Sequence, residues 1–209
     1  TIPTKLIFNG WWQQPVPDKI AMRKKWNFDS ELFHLGFIGK TADEMSWIVE
    51  GLDYLQKQGV HGVRLVVCGP NKNFMQETGY IDRSDIIYLG EVTPTEAREI
   101  ASSCELGVIP LEDSLFNQSR FPIKFLDFLT VNTPVYLSDV GEVGNIGKKI
   151  PNVYLASGKK PEWVQGLGPV IKAIREKGNN LESNLKDLEE YSWLNISRQL
   201  SEFYEEASK

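Results

Sequence analysis

Hydrophobic positions along the chain fall into two kinds of segment that alternate. Short, nearly uninterrupted apolar runs occur at Leu35–Ile38, Val63–Val67, Ile86–Leu89, Leu106–Ile109, Pro134–Leu137 and Val153–Leu155. Segments with apolar residues at helical spacing lie between them, at about Asp43–Lys57, Thr95–Ser103 and Phe121–Leu129. Uninterrupted runs are typical of strands covered on both faces. The alternation predicts an α/β fold with a Rossmann-like parallel sheet and helices on both faces.

Three units follow from this pattern. Residues 1–30 contain Trp11, Trp12 and a Pro-rich turn region, and we interpret them as an interdomain arm. Residues 31–177 form the Rossmann-like domain. Residues 178–209 are C-terminal helices, and after Lys160 the pattern predicts helices at Pro161–Lys177, Leu181–Tyr191 and Trp193–Ala207. The two indoles of the arm either pack back on the domain or contact something outside the chain.

The stretch Leu115–Val135 carries most of the candidate chemistry. It reads as a polar loop, a short amphipathic helix with Pro122 at its first position, and the approach to a strand. Arg120 and Lys124 flank the predicted helix start, which favours an anion such as phosphate. Asp127, further along this helix, is suited to accept hydrogen bonds from sugar hydroxyls. Its alternative role is a helix-surface acid paired with Lys124 or Arg120.

Composition narrows the function. A net charge of −5 and a pI near 5.2 argue against nucleic acid as the main partner. No apolar run has the length of a membrane span, so we expect a soluble, cytoplasmic protein. Cys68 and Cys104 lie in or beside apolar segments, which favours buried free thiols over a disulfide. We find no Asp-X-Asp and no His or Cys cluster with metal-ligand spacing, and His34 and His61 are weak site candidates.

Six segments together carry a resemblance to a known family. They are Ile7-Phe8-Asn9-Gly10, Leu35-Gly36-Phe37-Ile38-Gly39-Lys40, Val66-Val67-Cys68-Gly69, Tyr88-Leu89-Gly90-Glu91-Val92, Phe121 to Val135, and Tyr191-Ser192-Trp193. In this order they resemble the C-terminal, donor-binding domain of a GT-B glycosyltransferase, most like glycosyltransferase family 4. The resemblance implies the C-terminal half of a GT-B fold, with terminal helices that cross back toward an N-terminal domain preceding Thr1.

The resemblance also assigns roles to residues. It places the donor diphosphate at Lys40, Arg120, Phe121, Ile123 and Lys124, the ribose at Asp127, the nucleobase at Gly69, Gly90, Glu91 and Val92, and the donor sugar at Asn117, Gln118 and Ser119. The chain departs from the family pattern at four of its positions. Ser119 stands where the first acid of the signature is usual, Asp127 replaces a Glu, Pro122 replaces a Gly, and Met45 replaces a second phosphate-binding Lys.

The implied function is retaining, metal-independent transfer from a nucleotide sugar, with a UDP-sugar favoured over a GDP-sugar and no cofactor. The acceptor would be a saccharide or a lipid-linked saccharide in polysaccharide biosynthesis, and the preceding domain could bring peripheral membrane association. Without that domain we expect little or no transfer. Two alternatives stay open: another GT-B enzyme, such as a sugar-nucleotide epimerase, and a non-catalytic nucleotide-sugar-binding module.

Overall fold

The structure of the protein is a computed structural model that describes residues 4–39, 44–178 and 185–208. The strands are β1 Phe33–Ile38, β2 Val63–Cys68, β3 Ile86–Gly90, β4 Leu106–Ile109, β5 Val135–Ser138 and β6 Val153–Ala156. The helices are α1 Lys19–Lys25, α2 Met45–Lys57, α3 Lys72–Glu77, α4 Pro94–Ser103, α5 Leu115–Ser119, α6 Lys124–Leu129, α7 Gly141–Gly147, α8 Lys160–Lys177 and α9 Trp193–Ala207. None of these helices combines the length and apolarity that a membrane crossing requires.

The six strands form one parallel sheet in the order β3-β2-β1-β4-β5-β6. The chain builds outward from β1 in one direction up to β3 and then returns to add β4 on the other side of β1. This reversal creates a crevice at the carboxyl ends of β1 and β4, where doubly wound sheets bind ligands. The Rossmann-like fold predicted from the alternation is confirmed.

Successive strand residues point to opposite faces of the sheet, and both faces are covered. Leu65 and Val67 pack with α2 and α8 on one face, whereas Val66 and Cys68 pack with α4, α6 and α7 on the other. The strand residues are therefore apolar on both sides, which is why the sequence shows runs and not alternation. The predicted buried free thiols of Cys68 and Cys104 are confirmed.

Helix α6 lies unusually close to the sheet because two strand glycines make room for Phe128. A Cβ on Gly107 of β4 would stand 2.5 Å from the Phe128 ring, and a Cβ on Gly36 of β1 would stand 2.9 Å from it. Phe128 is fully buried there. The contact holds α6 directly over the point where the strand order reverses.

The two ends of the chain meet at one side of the domain. The Trp11 amide donates to the Tyr191 carbonyl at 3.1 Å, and the Trp193 amide donates to the Trp11 carbonyl at 3.0 Å. The Trp11 indole also donates to the Leu188 carbonyl at 2.8 Å. Trp11 thus packs back on the domain, while Trp12 remains 67% exposed, and a contact of Trp12 with something outside the chain stays a prediction.

Two local predictions within the stretch Leu115–Val135 need correction. Leu115–Ser119 is a helix rather than a loop, because the Ser114 hydroxyl caps it by accepting from the Asn117 amide. The following helix begins at Lys124 with Ile123 as its N-cap, so Pro122 lies just outside it. The extended backbone of Arg120 separates these two helices.

The helix predicted over Leu181–Tyr191 is wrong in its described part. Residues 185–188 form turns and Glu189–Tyr191 is a single 3-10 turn, while residues 181–184 lie outside the described ranges. Tertiary contacts override the local pattern here, because Leu188 is buried in the core and its carbonyl and that of Tyr191 both accept from Trp11. The pattern also missed α3 and α7, the second because its glycines read as turns.

Candidate ligand-binding cleft

A cleft of about 530 Å³ opens at the carboxyl ends of the strands. Its floor comes from the ends of β1 and β2, one wall from α4, and another from α6, the arm and the start of α9. The lining residues are Gly10, Trp11, Trp12, Gln14, Ile38, Gly39, Cys68, Gly69, Glu91, Val92, Pro94, Ala97, Arg98, Ile123, Lys124, Asp127, Thr130 and Trp193. This size and mixture of apolar walls with a few polar groups is typical of small-molecule sites.

The floor of the cleft depends on Gly69 at the end of β2. Its φ of +104° is rarely accessible to other residues, and a Cβ there would stand 2.6 Å from the Gly39 carbonyl oxygen. The Gly39 amide donates to the Cys68 carbonyl at 3.0 Å, and the Gly69 amide donates to the Gly90 carbonyl at 2.8 Å. Three strand ends are thereby joined into one surface that a ligand can approach closely.

A capping box fixes the wall formed by α4. The Thr93 hydroxyl accepts from the Glu96 amide, while the Glu96 carboxylate accepts from the Thr93 amide at 2.8 Å. Hydrogen bonds from Thr93 lower the pKa of Glu96, so the cap is in place at neutral pH. The cap holds the preceding Glu91 and Val92 at the edge of the cleft.

Lys124 and Asp127 face the cleft from α6 and pair with each other. Lys124 Nζ lies 3.0 Å from Asp127 Oδ2, and each side chain is about a third exposed. Asp127 thus forms the ion pair with Lys124 that its alternative role as a helix-surface acid predicts. The structure shows no ion pair between Asp127 and Arg120. An exposed pair of this kind contributes little stability. Both groups therefore remain accessible to a ligand that offers better partners.

The predicted site residues fall into two groups. Gly69, Glu91, Val92, Ile123, Lys124 and Asp127 line the cleft together. Gly90 lies beneath it and is held through its carbonyl, while Phe121 packs against Phe8 and Phe125 at centroid distances of 5.5 Å and 6.2 Å. Lys40 lies outside the described residues.

Arg120 is turned away from the cleft by two contacts. Its Nη2 donates to Glu44 Oε1 at 3.2 Å, and its guanidinium carbon lies 5.2 Å from the centroid of the Phe116 ring. Asn117, only 4% exposed, donates to the Glu112 carbonyl at 2.8 Å. The diphosphate role of Arg120 and the donor-sugar role of Asn117 stay predictions.

The other two predicted donor-sugar residues also bond within their own segment. Gln118 donates to Asp113 Oδ1 at 2.7 Å, and the Ser119 hydroxyl donates to the Phe116 carbonyl at 2.9 Å. A Cβ on Gly141 would stand 2.6 Å from the Gln118 carbonyl oxygen, so α7 begins directly against α5. Their contact with a donor sugar is likewise a prediction.

Two parts of the cleft were not predicted from the sequence. Arg98 lies four residues after Pro94, so the two share a helix face that also includes Ala97, and this spacing was an available signal. The indoles of Trp12 and Trp193 meet with their ring centroids 6.4 Å apart. No local signal joins residues so distant in sequence, because the two chain ends meet only in the folded domain.

Cys68 lines the cleft but is not suited to act as a nucleophile. Burial raises the pKa of its thiol to about 12, and the nearby charge of Lys124 only partly opposes this effect. A thiol with that pKa stays protonated at neutral pH. No group of three or more potential metal-ligating side chains occurs in the described part of the chain.

A second polar cluster lies at the opposite end of the sheet. His34 is completely buried, and its Nδ1 lies 2.8 Å from Arg23 Nη2 and 3.6 Å from Glu105 Oε2. Arg23 and Lys19 also pair with Glu105, at 2.9 Å and 3.0 Å. His34 therefore has a nearby acid, Glu105, which lies too far away in the sequence to be recognised from the local pattern. This cluster joins α1 to the amino ends of β1 and β4, far from the cleft.

Residues 32–172 match the model of the family described as "Glycosyl transferases group 1". The chain belongs to this family, and its fold is the Rossmann-like half of the GT-B glycosyltransferases. Both conclusions agree with the resemblance inferred from the sequence.

Individual relatives are more distant. A Bacillus subtilis strain 168 protein, "Putative teichuronic acid biosynthesis glycosyltransferase TuaH", is 28% identical over 107 residues, which are 50% of this chain and 25% of that protein. Sucrose-phosphate synthase from Thermosynechococcus elongatus superposes with a TM-score of 0.72 at 15% identity, covering 97% of this chain and 52% of that one. Anabaena Alr3699/HepE in complex with UDP-glucose gives 0.73 at 15% identity, covering 97% and 57%. The chain therefore spans a quarter to about half of these relatives.

Proposed function

We propose that this chain is the donor-binding part of a glycosyltransferase and that its cleft holds the nucleoside diphosphate of a sugar donor. One observation carries the proposal. Six residues assigned to the donor from separate stretches of sequence line a single cleft at the point where the strand order reverses. Membership of the group 1 family supports the same reading.

Lys124 and Asp127 have different roles in this proposal: Lys124 binds the diphosphate and Asp127 binds the ribose. The ammonium of Lys124 pairs with the diphosphate, whose negative charge grows as the glycosidic bond breaks, so the cation stabilises the transition state more than the ground state. Asp127 then accepts hydrogen bonds from the ribose hydroxyls. Their mutual distance of 3.0 Å puts both groups within reach of one nucleotide. Glu91 and Val92, held by the α4 cap, lie beside the base.

A UDP-sugar is the favoured donor and a GDP-sugar the second choice. The described relative Alr3699/HepE was solved with UDP-glucose, which supports the uridine choice by analogy of fold. In this proposal transfer retains the anomeric configuration, needs no metal or other cofactor, and delivers the sugar to a saccharide or lipid-linked acceptor in the cytoplasm. The chain spans about half the length of this relative, and in this proposal a separate part of the enzyme binds the acceptor, so this chain alone should transfer poorly.

Calorimetric titration with UDP, GDP, ADP and their glucose or mannose conjugates tests the donor site. We expect one diphosphate to bind with micromolar to millimolar affinity, and Lys124→Ala and Asp127→Ala each to weaken it about ten-fold, the loss of one charge-assisted interaction. Lys172→Ala is the matched control, because Lys172 pairs with Glu176 on α8 outside the cleft. Binding that survives both cleft substitutions unchanged would refute the assignment.

A further inference from the structure

Arg98 holds a position in the cleft to which no role has been assigned above. It projects from the second turn of α4, is half-buried, and lines the cleft beside Ala97. Its Nη1 donates to the Thr130 hydroxyl at 3.0 Å, and its Nη2 donates to the Pro15 carbonyl at 3.4 Å, near the limit of a hydrogen bond. The side chain therefore reaches across from α4 to the end of α6 and the arm.

The charge of Arg98 lacks a close anionic partner. Of the two described cations that line the cleft, Lys124 pairs with Asp127, whereas Arg98 forms no ion pair with a carboxylate in the described ranges. Burial lowers the pKa of Arg98, and the negative charge of Asp127 partly opposes this shift without forming an ion pair. A guanidinium nevertheless stays protonated in proteins. A half-buried cation with only neutral partners is costly, and a strong acceptor on a ligand would relieve that cost.

The location of this cation fits the base end of a bound nucleotide. Arg98 donates a hydrogen bond to Thr130, the C-cap of α6, which is three residues and hence about 4.5 Å beyond Asp127 along the helix axis. A base is displaced from its ribose by a distance of the same order. Arg98 also lies one helical turn beyond Pro94, which follows the Glu91 and Val92 segment. A nucleotide with its ribose at Asp127 would therefore carry its base between these two walls.

We propose that Arg98 donates a hydrogen bond to O4 of uracil or O6 of guanine and so selects these keto bases over adenine and cytosine. Adenine and cytosine carry an amino donor where the keto bases carry an oxygen, and a guanidinium repels that donor. Arginine pairing with guanine O6 follows the same chemistry in other sites. This inference rests on the donor-site function proposed above.

The test is titration of the chain with UDP, GDP, CDP and ADP, repeated with Arg98→Met and Arg98→Lys. We expect a keto base to bind about ten-fold or more tightly than both amino bases, as one specific base contact can provide. Arg98→Met should remove this preference mainly by weakening the keto nucleotide, and Arg98→Lys should keep part of it. Whether UDP or GDP binds more tightly identifies which keto base is read.

Thermal unfolding separates this role from a structural one. Arg64→Met is the matched control, because Arg64 is half-buried at the amino end of β2 and should leave all four affinities unchanged. If Arg98→Met lowers the melting temperature sharply, Arg98→Lys carries the comparison. Equal weakening of all four nucleotides, or a keto preference that survives both variants, would overturn the role of Arg98 and leave the donor site standing. Failure of the unmodified chain to bind any nucleotide would overturn both proposals.

Discussion

The two ends of the sheet carry similar charged residues in opposite circumstances. At the amino end, Glu105 is surrounded by Arg23, Lys19 and His34, and its side chain is only 17% exposed. At the carboxyl end, Lys124 and Asp127 pair in an open cleft, each about a third exposed. The first cluster is closed and its partners are protein groups. The second is open, and its partners can be exchanged for those of a ligand.

The pKa values express the same contrast. Burial alone would raise the pKa of Glu105, but hydrogen bonds from His34 and the charges of Lys19 and Arg23 outweigh it and bring the pKa to about 2. A carboxylate held so firmly contributes to stability. Ion pairs at the amino end of this sheet are shielded and maintain the fold, whereas the Lys124–Asp127 pair at the carboxyl end stays accessible.

The largest expected effect is at the closed end. Glu105→Gln should reduce the free energy of unfolding at pH 7 by about 3 kcal/mol, because it leaves Arg23 and Lys19 without their buried partner. The pKa of Glu105 is lower in the folded state, about 2 against 4.5 for a free glutamate side chain, so its stabilisation is full above pH 4.5. The difference between wild type and variant should shrink as the pH falls from 4.5 towards 2.

Urea unfolding at several pH values measures this prediction. Glu176→Gln is the control, because Glu176 is 67% exposed and 4.0 Å from its partner, and it should change stability by less than about 0.5 kcal/mol. An equal loss for both variants would remove the distinction between the closed cluster and a surface pair.

An intermediate loss of stability is expected where α6 packs on Gly107 of β4, because this contact positions the helix that lines the cleft. Gly107→Ala would place a Cβ 2.5 Å from the Phe128 ring and should cost about 2 kcal/mol by overpacking. Because α6 also carries Lys124 and Asp127, nucleotide affinity should fall as well. The measurements are urea unfolding and calorimetry, and adding Phe128→Leu should restore part of both losses. Unchanged affinity would show that nucleotide binding does not depend on the close packing of α6 against β4.

The smallest effect on stability is expected at the Lys124–Asp127 pair in the open cleft. Lys124→Ala and Asp127→Ala should each change the free energy of unfolding by less than about 0.5 kcal/mol, because exposed i,i+3 pairs contribute little. Thermal unfolding without nucleotide measures this change in stability, and calorimetric titration of the same variants measures their nucleotide affinity. A loss as large as that of Glu105→Gln would make the cleft pair structural and erase the contrast.

Local sequence patterns were sufficient wherever short-range forces decide the structure. All six strands appear within one or two residues of their predicted ends, as do α2, α4, α8 and α9, because their apolar spacing already encodes which face is covered. The same applies to the strand-end positions of Gly69, Glu91 and Val92, since parallel strands bring their carboxyl ends to one edge. Where neighbouring elements compete, the pattern failed, as at Leu181–Tyr191 and at the start of α6.

Local patterns were therefore enough to predict the class of fold, its family and the edge of the sheet at which a ligand would bind. Folding brings together the pairs that these patterns did not predict: Arg120 with Glu44, Trp12 with Trp193, and Arg98 with Thr130 across the cleft. These pairings join residues between 32 and 181 positions apart, and their energies depend on burial and distance in the folded domain. Periodicity reports which side of an element is covered, but not which distant side chain it meets.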